Sequence, residues 1–236
     1  MHILLIGYGK MGKAIAARAA ERGHHIAGIL DLENQNTFRL PPRVDVAVEF
    51  TSPEAAIKNM FFCFRNRIPV VCGSTGWYGQ LDEVLDCCKQ HNGGLLYASN
   101  FSVGVNIVFK VNEYLARLMS PHRDYEVLVD ETHHTHKKDA PSGTAISLAQ
   151  GILRENTSKK RWVSHPSLQP DEIEIRSHRM GEVPGTHVVS YTSPTDSIRL
   201  SHEAHTRDGF VWGAVLAAEF LVGKQGVYTM ADVLRF

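Results

Sequence analysis

The chain opens on a short apolar run, His2 to Gly7 (HILLIG), which passes straight into Gly7-Tyr8-Gly9-Lys10-Met11-Gly12. No other stretch limits the fold so tightly. A continuous apolar run of this length reads as a strand buried on both faces, the habit of a parallel sheet. Behind Gly12 comes a helical pattern, Ala14, Ile15, Ala17 and Arg18 onward to Arg22, which Gly23 ends. A second run, HIAGIL, stops at Asp31, 19 positions after Gly12. Strand, glycine loop, helix, strand and acid stand in the order a dinucleotide-binding unit requires. Gly7 allows the tight turn, Gly9 lets a pyrophosphate approach the backbone, and Gly12 lets the helix pack on the strand. The helix start offers unpaired N–H groups to an anion, and Asp31 would grip a ribose hydroxyl. The competing reading is a glycine turn in another doubly wound sheet.

The alternation of strand and helix continues through the first half. VDVAVEF (Val44 to Phe50), IPVVCGSTG and GLLYASNFSVG read as strands, and the segments after Pro53 and after Tyr78 read as helices. Ligands of open parallel sheets sit at the carboxyl ends of the strands. Thr51, Gly73, Ser74, Thr75, Ser99 and Asn100 lie there and are candidates for the nicotinamide side of a cofactor, though each alone reads equally as turn chemistry. The run Met60, Phe61, Phe62 and Phe64 fits the core face of a helix better than an aromatic binding site.

From about Asn106 the pattern changes. VNIVFKVNEYLARLM is expected to be a helix facing inward with Ile107, Val111, Tyr114, Leu115 and Leu118. DYEVLVDE alternates as a strand, TAISLAQGILREN is a second helix, and EIEIRSHR, THVVSYTS and DSIRLSHEA alternate as strands. Helices followed by runs of strands imply an α+β domain with an open mixed sheet. With so few covering helices, one sheet face would expose apolar groups of THVVSY and SIRLSH and serve oligomerisation. The expected fold is therefore α/β: a Rossmann-like dinucleotide-binding domain, 1–103 completed by 208–236, and a substrate-binding and oligomerisation domain, 104–207.

Composition narrows the partners. A formal net charge of +0 over 236 residues gives no reason to expect nucleic acid or a membrane surface as partner. The four cysteines, Cys63, Cys72, Cys87 and Cys88, show no metal or redox spacing, which favours a reduced, cytoplasmic setting. The first residues lack the marks of a signal peptide.

The stretch Asp130 to Ala145, DETHHTHKKDAPSGTA, crowds histidines, lysines and carboxylates ahead of a tight turn. Pro141 suits the first turn of a helix, leaving the N–H groups of Ser142, Gly143 and Thr144 as an anion site. Lys137 and Lys138 add positive charge. Three readings compete: catalysis on a carboxylate-bearing substrate, metal binding by His133, His134 and His136 with Asp139, and a solvated loop with a helix cap. Spacing too tight for one helix face and the two adjacent lysines weigh against the metal, so none is expected.

The segment Glu131 to Ala145 closely resembles the substrate-site motif of the dihydrodipicolinate reductase family, in which glutamate, two histidines and a lysine precede Asp-Ala-Pro-Ser-Gly-Thr-Ala. GYGKMG resembles the family's phosphate loop, EFTSPEA its third-strand segment, CGSTG and ASNFSVGVN its nicotinamide-facing turns, and AHTRDGF the return to the cofactor domain. The resemblance covers most of the chain. It implies NADH- or NADPH-dependent reduction of 4-hydroxy-tetrahydrodipicolinate, a cyclic dicarboxylate, to tetrahydrodipicolinate in diaminopimelate and lysine biosynthesis. It implies His133 as proton donor with Lys137, and a substrate held by His134, Lys137, Ser142, Gly143 and Thr144. It places the cofactor against Gly7, Tyr8, Gly9, Lys10, Met11, Gly12, Asp31, Phe50, Thr51, Gly73, Ser74, Thr75, Ser99, Asn100, Phe101, Arg207 and Phe210. Asp31 and Glu33 would repel a 2′-phosphate and favour NADH, while Lys10 and Lys13 would soften that repulsion. The rival classes are a non-catalytic nicotinamide-binding sensor and a dehydrogenase for another small carboxylic acid.

Overall fold

In the computed structural model, which describes residues 1–167 and 169–236, the opening apolar run forms β1 (His2–Ile6) and the glycine loop leads into α1 (Lys10–Glu21). The strands β2 (His25–Leu30), β3 (Val46–Glu49), β4 (Val70–Cys72) and β5 (Gly94–Tyr97) alternate with α2 (Pro53–Arg65) and α3 (Leu81–Gln90). Period-2 side-chain direction divides the sheet between two cores. Ile3, Leu5, Val46, Val48, Val71 and Leu96 face one side. Leu4, Ile6, Ala47, Val70 and Leu95 face the other, where Met60 and Phe64 of α2 and Val84 of α3 cover them. α2 starts where the sequence signals it: Ser52 caps the helix by accepting from Ala55 N–H, and Pro53 occupies the first turn.

The chain divides into two units, Met1–Val103 with Asp208–Phe236, and Gly104–Arg207. The second begins with α4 (Val103–Met119). It continues through β6 (Glu126–His133), α5 (Gly143–Glu155), β7 (Arg161–Val163), β8 (Glu172–Arg179), β9 (Gly185–Thr192) and β10 (Ser197–Ala204). Its sheet runs β10-β9-β6-β8-β7. β6 at the centre pairs parallel with β8 and antiparallel with β9, so the sheet is mixed. Val127 and Val129, with Ile173, Ile175, Val189 and Tyr191, form the inner face against Leu148, Ala149 and Ile152 of α5.

Four expectations for this unit are corrected. α4 turns its Val105, Asn112, Ala116 and Met119 inward, while Ile107, Val111, Tyr114 and Leu118 are exposed. The inward stripe is centred on a buried polar residue: Asn112 Nδ2 donates to Leu148 O of α5 at 2.9 Å, and a Cβ on Gly151 would meet Nδ2 at 3.1 Å. An apolar count along α4 misses this, because hydrophobic side chains line both flanks. The face of the sheet away from α5 is largely polar rather than apolar: Asp130, Arg176, His178, Arg199 and Glu203 lie on it, with Leu128 and Val188 among them. β7 is a short strand that the pattern did not announce. β6 runs on to His133, past the glutamate at which the alternation was expected to stop.

The last segment returns to the first unit. α6 (Asp208–Leu221) buries Val211, Ala214, Val215, Ala218 and Leu221 on the face of the parallel sheet that carries Ile3 and Leu5, and β11 (Gly226–Tyr228) pairs parallel with β5 before α7 (Met230–Leu234). The finished sheet has the order β11-β5-β4-β3-β1-β2. Its reversal falls between β1 and β3, and the glycine loop leaves β1 at that point.

The buried Asn112 contact has a measurable weight. Asn112→Ala removes a hydrogen bond and leaves a small void between α4 and α5, and is expected to cost about 2 kcal/mol of stability. Chemical denaturation of the two proteins at one pH measures the difference.

Candidate active site

In the first unit the glycines of the loop differ in what surrounds them. Gly7 has φ +91°, and a Cβ there would lie 2.3 Å from Phe50 O. A Cβ on Gly12 would lie 2.2 Å from Gly7 O, so α1 approaches the end of β1 more closely than a side chain permits. Gly9, the residue before α1, has open space on its Cβ side. The first-turn N–H groups of Lys10, Met11 and Gly12 have no acceptor within the helix, and no acidic residue sits there to compete for them. A cradle of amides with no side chain in front of it fits a pyrophosphate. Tyr8 lies under Lys13, whose Nζ is 5.7 Å from the ring centroid.

The neighbouring strand ends are tied to this loop. Gly7 N–H donates to Leu30 O, and Asp31 follows, its Oδ1 accepting from Leu32 N–H at 2.8 Å. Phe50 packs over Gly73, where a Cβ would strike the ring, and stands 5.7 Å from the Phe101 ring. Ser74 is turned inward: its hydroxyl accepts from Thr51 N–H at 2.8 Å and joins the ends of β3 and β4. Asn100 is buried and accepts from Ser102 N–H, whereas Ser99 and Thr75 are exposed. Sequence reasoning passed over Glu49, the fully buried last residue of β3, which accepts from Thr51 Oγ1, from Asn59 at 3.3 Å and from the Cys72 thiol at 3.2 Å. Burial and this carboxylate push the Cys72 thiol far up, so it is no thiolate. Phe210 lies on α6 and is half-buried; Arg207, the last residue of the second unit, is exposed.

In the second unit the crowded stretch folds around Glu131. Continuing the alternation of Val127 and Val129 carries Glu131 and His133 to the inner face of β6, where Glu131 has no exposed surface. Its Oε1 accepts from Ser142 N–H at 3.0 Å, from the Ser177 hydroxyl at 2.6 Å and from Arg179 at 3.4 Å. Its Oε2 stands 3.1 Å from His133 Nδ1 and 3.9 Å from His187 Nε2. Burial would raise the Glu131 pKa, but His133 and the Ser142 and Ser177 donors outweigh it and hold the carboxyl well below the usual range. Burial, with His133 beside it, pushes His187 down to about 4, so this ring is neutral at physiological pH.

These contacts correct two further expectations. Ser142 is the buried cap of α5: its Oγ accepts from Ala145 N–H and meets His187 Nε2 at 3.3 Å, while its N–H is taken by Glu131. Ser142 is therefore a structural cap, and Pro141 precedes it instead of filling the first turn. Gly143 opens the helix with free space on its Cβ side, and Thr144 follows. The loop before the cap is bound by Arg179, whose guanidinium donates to Asp139 O at 2.6 Å and Lys137 O at 3.3 Å. Lys137 Nζ pairs with Asp139 at 2.8 Å. His134 is half-buried, and its ring lies 6.2 Å from that of His136.

Glu131, His133 and His187 bring ligand-type atoms within 4.8 Å of one another, a spacing that also suits a cation. The carboxylate already carries Arg179 and two other donors, so the set fits an internal network better than an ion. Ser177, Arg179 and His187, which surround the carboxylate, were missed, and Glu131 entered the sequence reading only as the glutamate of the resembling motif. The period-2 alternation of β6 was the available signal for Glu131; the other three come from β8 and β9, which only the pairing of strands brings to it.

A parallel sheet with a glycine-rich anion cradle, followed in the chain by a mixed sheet bearing a buried carboxylate–histidine group, defines an oxidoreductase of the two-domain dinucleotide-binding class. Models of the dihydrodipicolinate reductase N-terminus and C-terminus match residues 1–101 and 104–234. The chain belongs to the dihydrodipicolinate reductase family and is an enzyme of that kind. It is 45% identical over 234 residues, 99% of this chain and 98% of the relative, to the 4-hydroxy-tetrahydrodipicolinate reductase of Christiangramia forsetii. It is 33% identical over 246 residues, 99% of each chain, to that of Staphylococcus carnosus. The dipicolinate-bound dihydrodipicolinate reductase from Paenisporosarcina sp. TG-14 shares the fold, with a TM-score of 0.75, 22% identity and 98% of each chain covered.

The lowered pKa of His187 makes stability depend on pH. The unfolded ring takes up a proton near pH 6.5 and the folded ring only near 4, so stability is lost as pH falls through that window. Between pH 7 and pH 5 the parent is expected to lose about 2 kcal/mol more than His187→Gln. Urea unfolding of both proteins at the two pH values provides the comparison.

Proposed function

We propose that the chain reduces 4-hydroxy-tetrahydrodipicolinate to tetrahydrodipicolinate with a reduced nicotinamide cofactor, as the name of its 45% identical relative suggests. The observation that carries the reading is the shared tie of His133 and the start of α5 to one buried carboxylate. A proton donor and an anion hold then belong to one rigid group. Gly143 and Thr144 at the helix start, with Lys137 and His134, would hold the two substrate carboxylates; Lys137 exchanges Asp139 for a substrate carboxylate. After water leaves the hydroxylated ring, hydride addition at ring carbon 4 builds negative charge in the conjugated imine. His133 supplies the proton that quenches it, and Lys137 offsets the charge as it develops.

The cofactor residues are proposed in the same way. The amides of Gly7 to Gly12 hold the pyrophosphate. Asp31 takes the ribose hydroxyls, with Phe50, Thr51, Gly73, Thr75, Ser99, Asn100, Phe101, Arg207 and Phe210 toward the nicotinamide. Ser74 supports that side by holding Thr51. The bound nicotinamide supplies the hydride. NADH is preferred because Asp31 and Glu33 repel a 2′-phosphate. The histidine group is read as acid and anion hold, so catalysis requires no metal. Four chains associate through the polar, helix-free face of the mixed sheet, in a reduced cytoplasmic setting.

Cofactor oxidation with substrate freshly made from pyruvate and aspartate semialdehyde tests the activity. His133→Gln is expected to lower kcat roughly 10²–10⁴-fold with NADH affinity unchanged. Lys137→Ala is expected to raise KM and lower kcat together. A His133→Gln enzyme within a few-fold of the parent removes His133 as the acid.

Asp31→Ala is expected to weaken NADH binding and relatively favour NADPH. Unchanged affinities for both, by fluorescence titration, remove Asp31 as the ribose ligand.

A further inference from the structure

We infer that Glu131 is a positioning residue for the reaction: its carboxylate holds His133 by the Nδ1 edge, leaving Nε2 as the nitrogen that presents the proton, and the same carboxylate fixes the start of α5. The inference rests on the proposed role of His133.

Three observations lead to it. Nδ1 stands 3.1 Å from Oε2, close enough for charge attraction although the approach is not aligned as a hydrogen bond. Contacts of this kind tighten when a substrate closes on them. Nε2 lies beside Gly185, where an added Cβ would come within 3.1 Å, so the missing side chain leaves that edge of the ring room. Glu131 is fully buried, while its Oε1 is spoken for by donors from β8 and the cap of α5, which leaves Oε2 for the histidines.

The groups around His133 show which of them the charge serves. From β9, His187 faces the ring at 5.0 Å between centroids, with His202 of β10 paired beside it. From β8 comes Arg179, paired in register with His133, and from the loop come Lys137 and Asp139. His187 is kept neutral by burial. Arg179 reaches Oε1 only at 3.4 Å and is occupied by the loop carbonyls. Glu131 is thus the acid in contact with His133, set against two cations, and its carboxylate fixes which edge of the ring faces away from it.

Glu131→Gln keeps the shape and removes the charge. It is expected to lower kcat roughly 10–100-fold with NADH affinity unchanged. In a His133→Gln background the same change should cost less than about twofold, because its effect passes through the ring. Should Glu131→Gln not fold by thermal melting, Ser177→Ala replaces it. Losing that donor loosens the carboxylate, and its effect on kcat should likewise fall below about twofold in the His133→Gln background. A His133→Gln enzyme with parental kcat sinks both this inference and the proton-donor reading. A slow His133→Gln enzyme that Glu131→Gln slows by the same further factor as in the parent sinks this inference alone, as does a Glu131→Gln enzyme with parental kcat.

Discussion

The arrangement of the second unit depends on keeping one carboxylate charged inside a sheet. A buried acid without donors would take up a proton or expel itself to water. Glu131 is held charged by an amide from α5, a hydroxyl and a guanidinium from β8, and the histidine two places along its own strand. Each donor fixes the element that carries it. The N-terminus of α5 is drawn to β6, β8 is held in register, and Arg179 then reaches on to the loop of Lys137 and Asp139. The polar groups on which function is proposed to rest are therefore a folded network with few independent parts.

The first unit solves its problem by the opposite means. Its anion cradle is made of backbone amides, and what it requires of the sequence is absence of side chains. A β-carbon at Gly7 or Gly12 would overlap the main chain. Where side chains do enter, as Ser74 and Glu49 show, they hold the turns between strands in shape. The first unit thus depends on glycines at fixed positions, whereas the second depends on side chains drawn from several strands to one carboxylate.

The largest errors of the sequence reading share one cause. Along α4, Ile107, Val111, Tyr114 and Leu118 make as good a stripe as the residues that are buried. Asn112 decides between them by reaching Leu148 O across a helix contact. Along β6, Val127 and Val129 fixed the inner face correctly, and the alternation continued into residues too polar to be counted as core. The Ser142 N–H reads as a free helix-start donor from local sequence alone, because its acceptor lies eleven positions earlier in the chain.

By itself the sequence determined the parallel sheet, its glycine loop, the acid at the end of β2, the mixed sheet and the family to which the chain belongs. These follow from local spacing: period-2 and helical patterns, glycines where no side chain fits, and a motif read within fifteen residues. Only the tertiary structure decided which face of α4 is buried, that His133 ends a strand, and that Glu131, Ser142, Ser177, Arg179 and His187 form one group. Those outcomes depend on strand pairing and on hydrogen bonds between distant segments, whose energies appear only when both partners are in place.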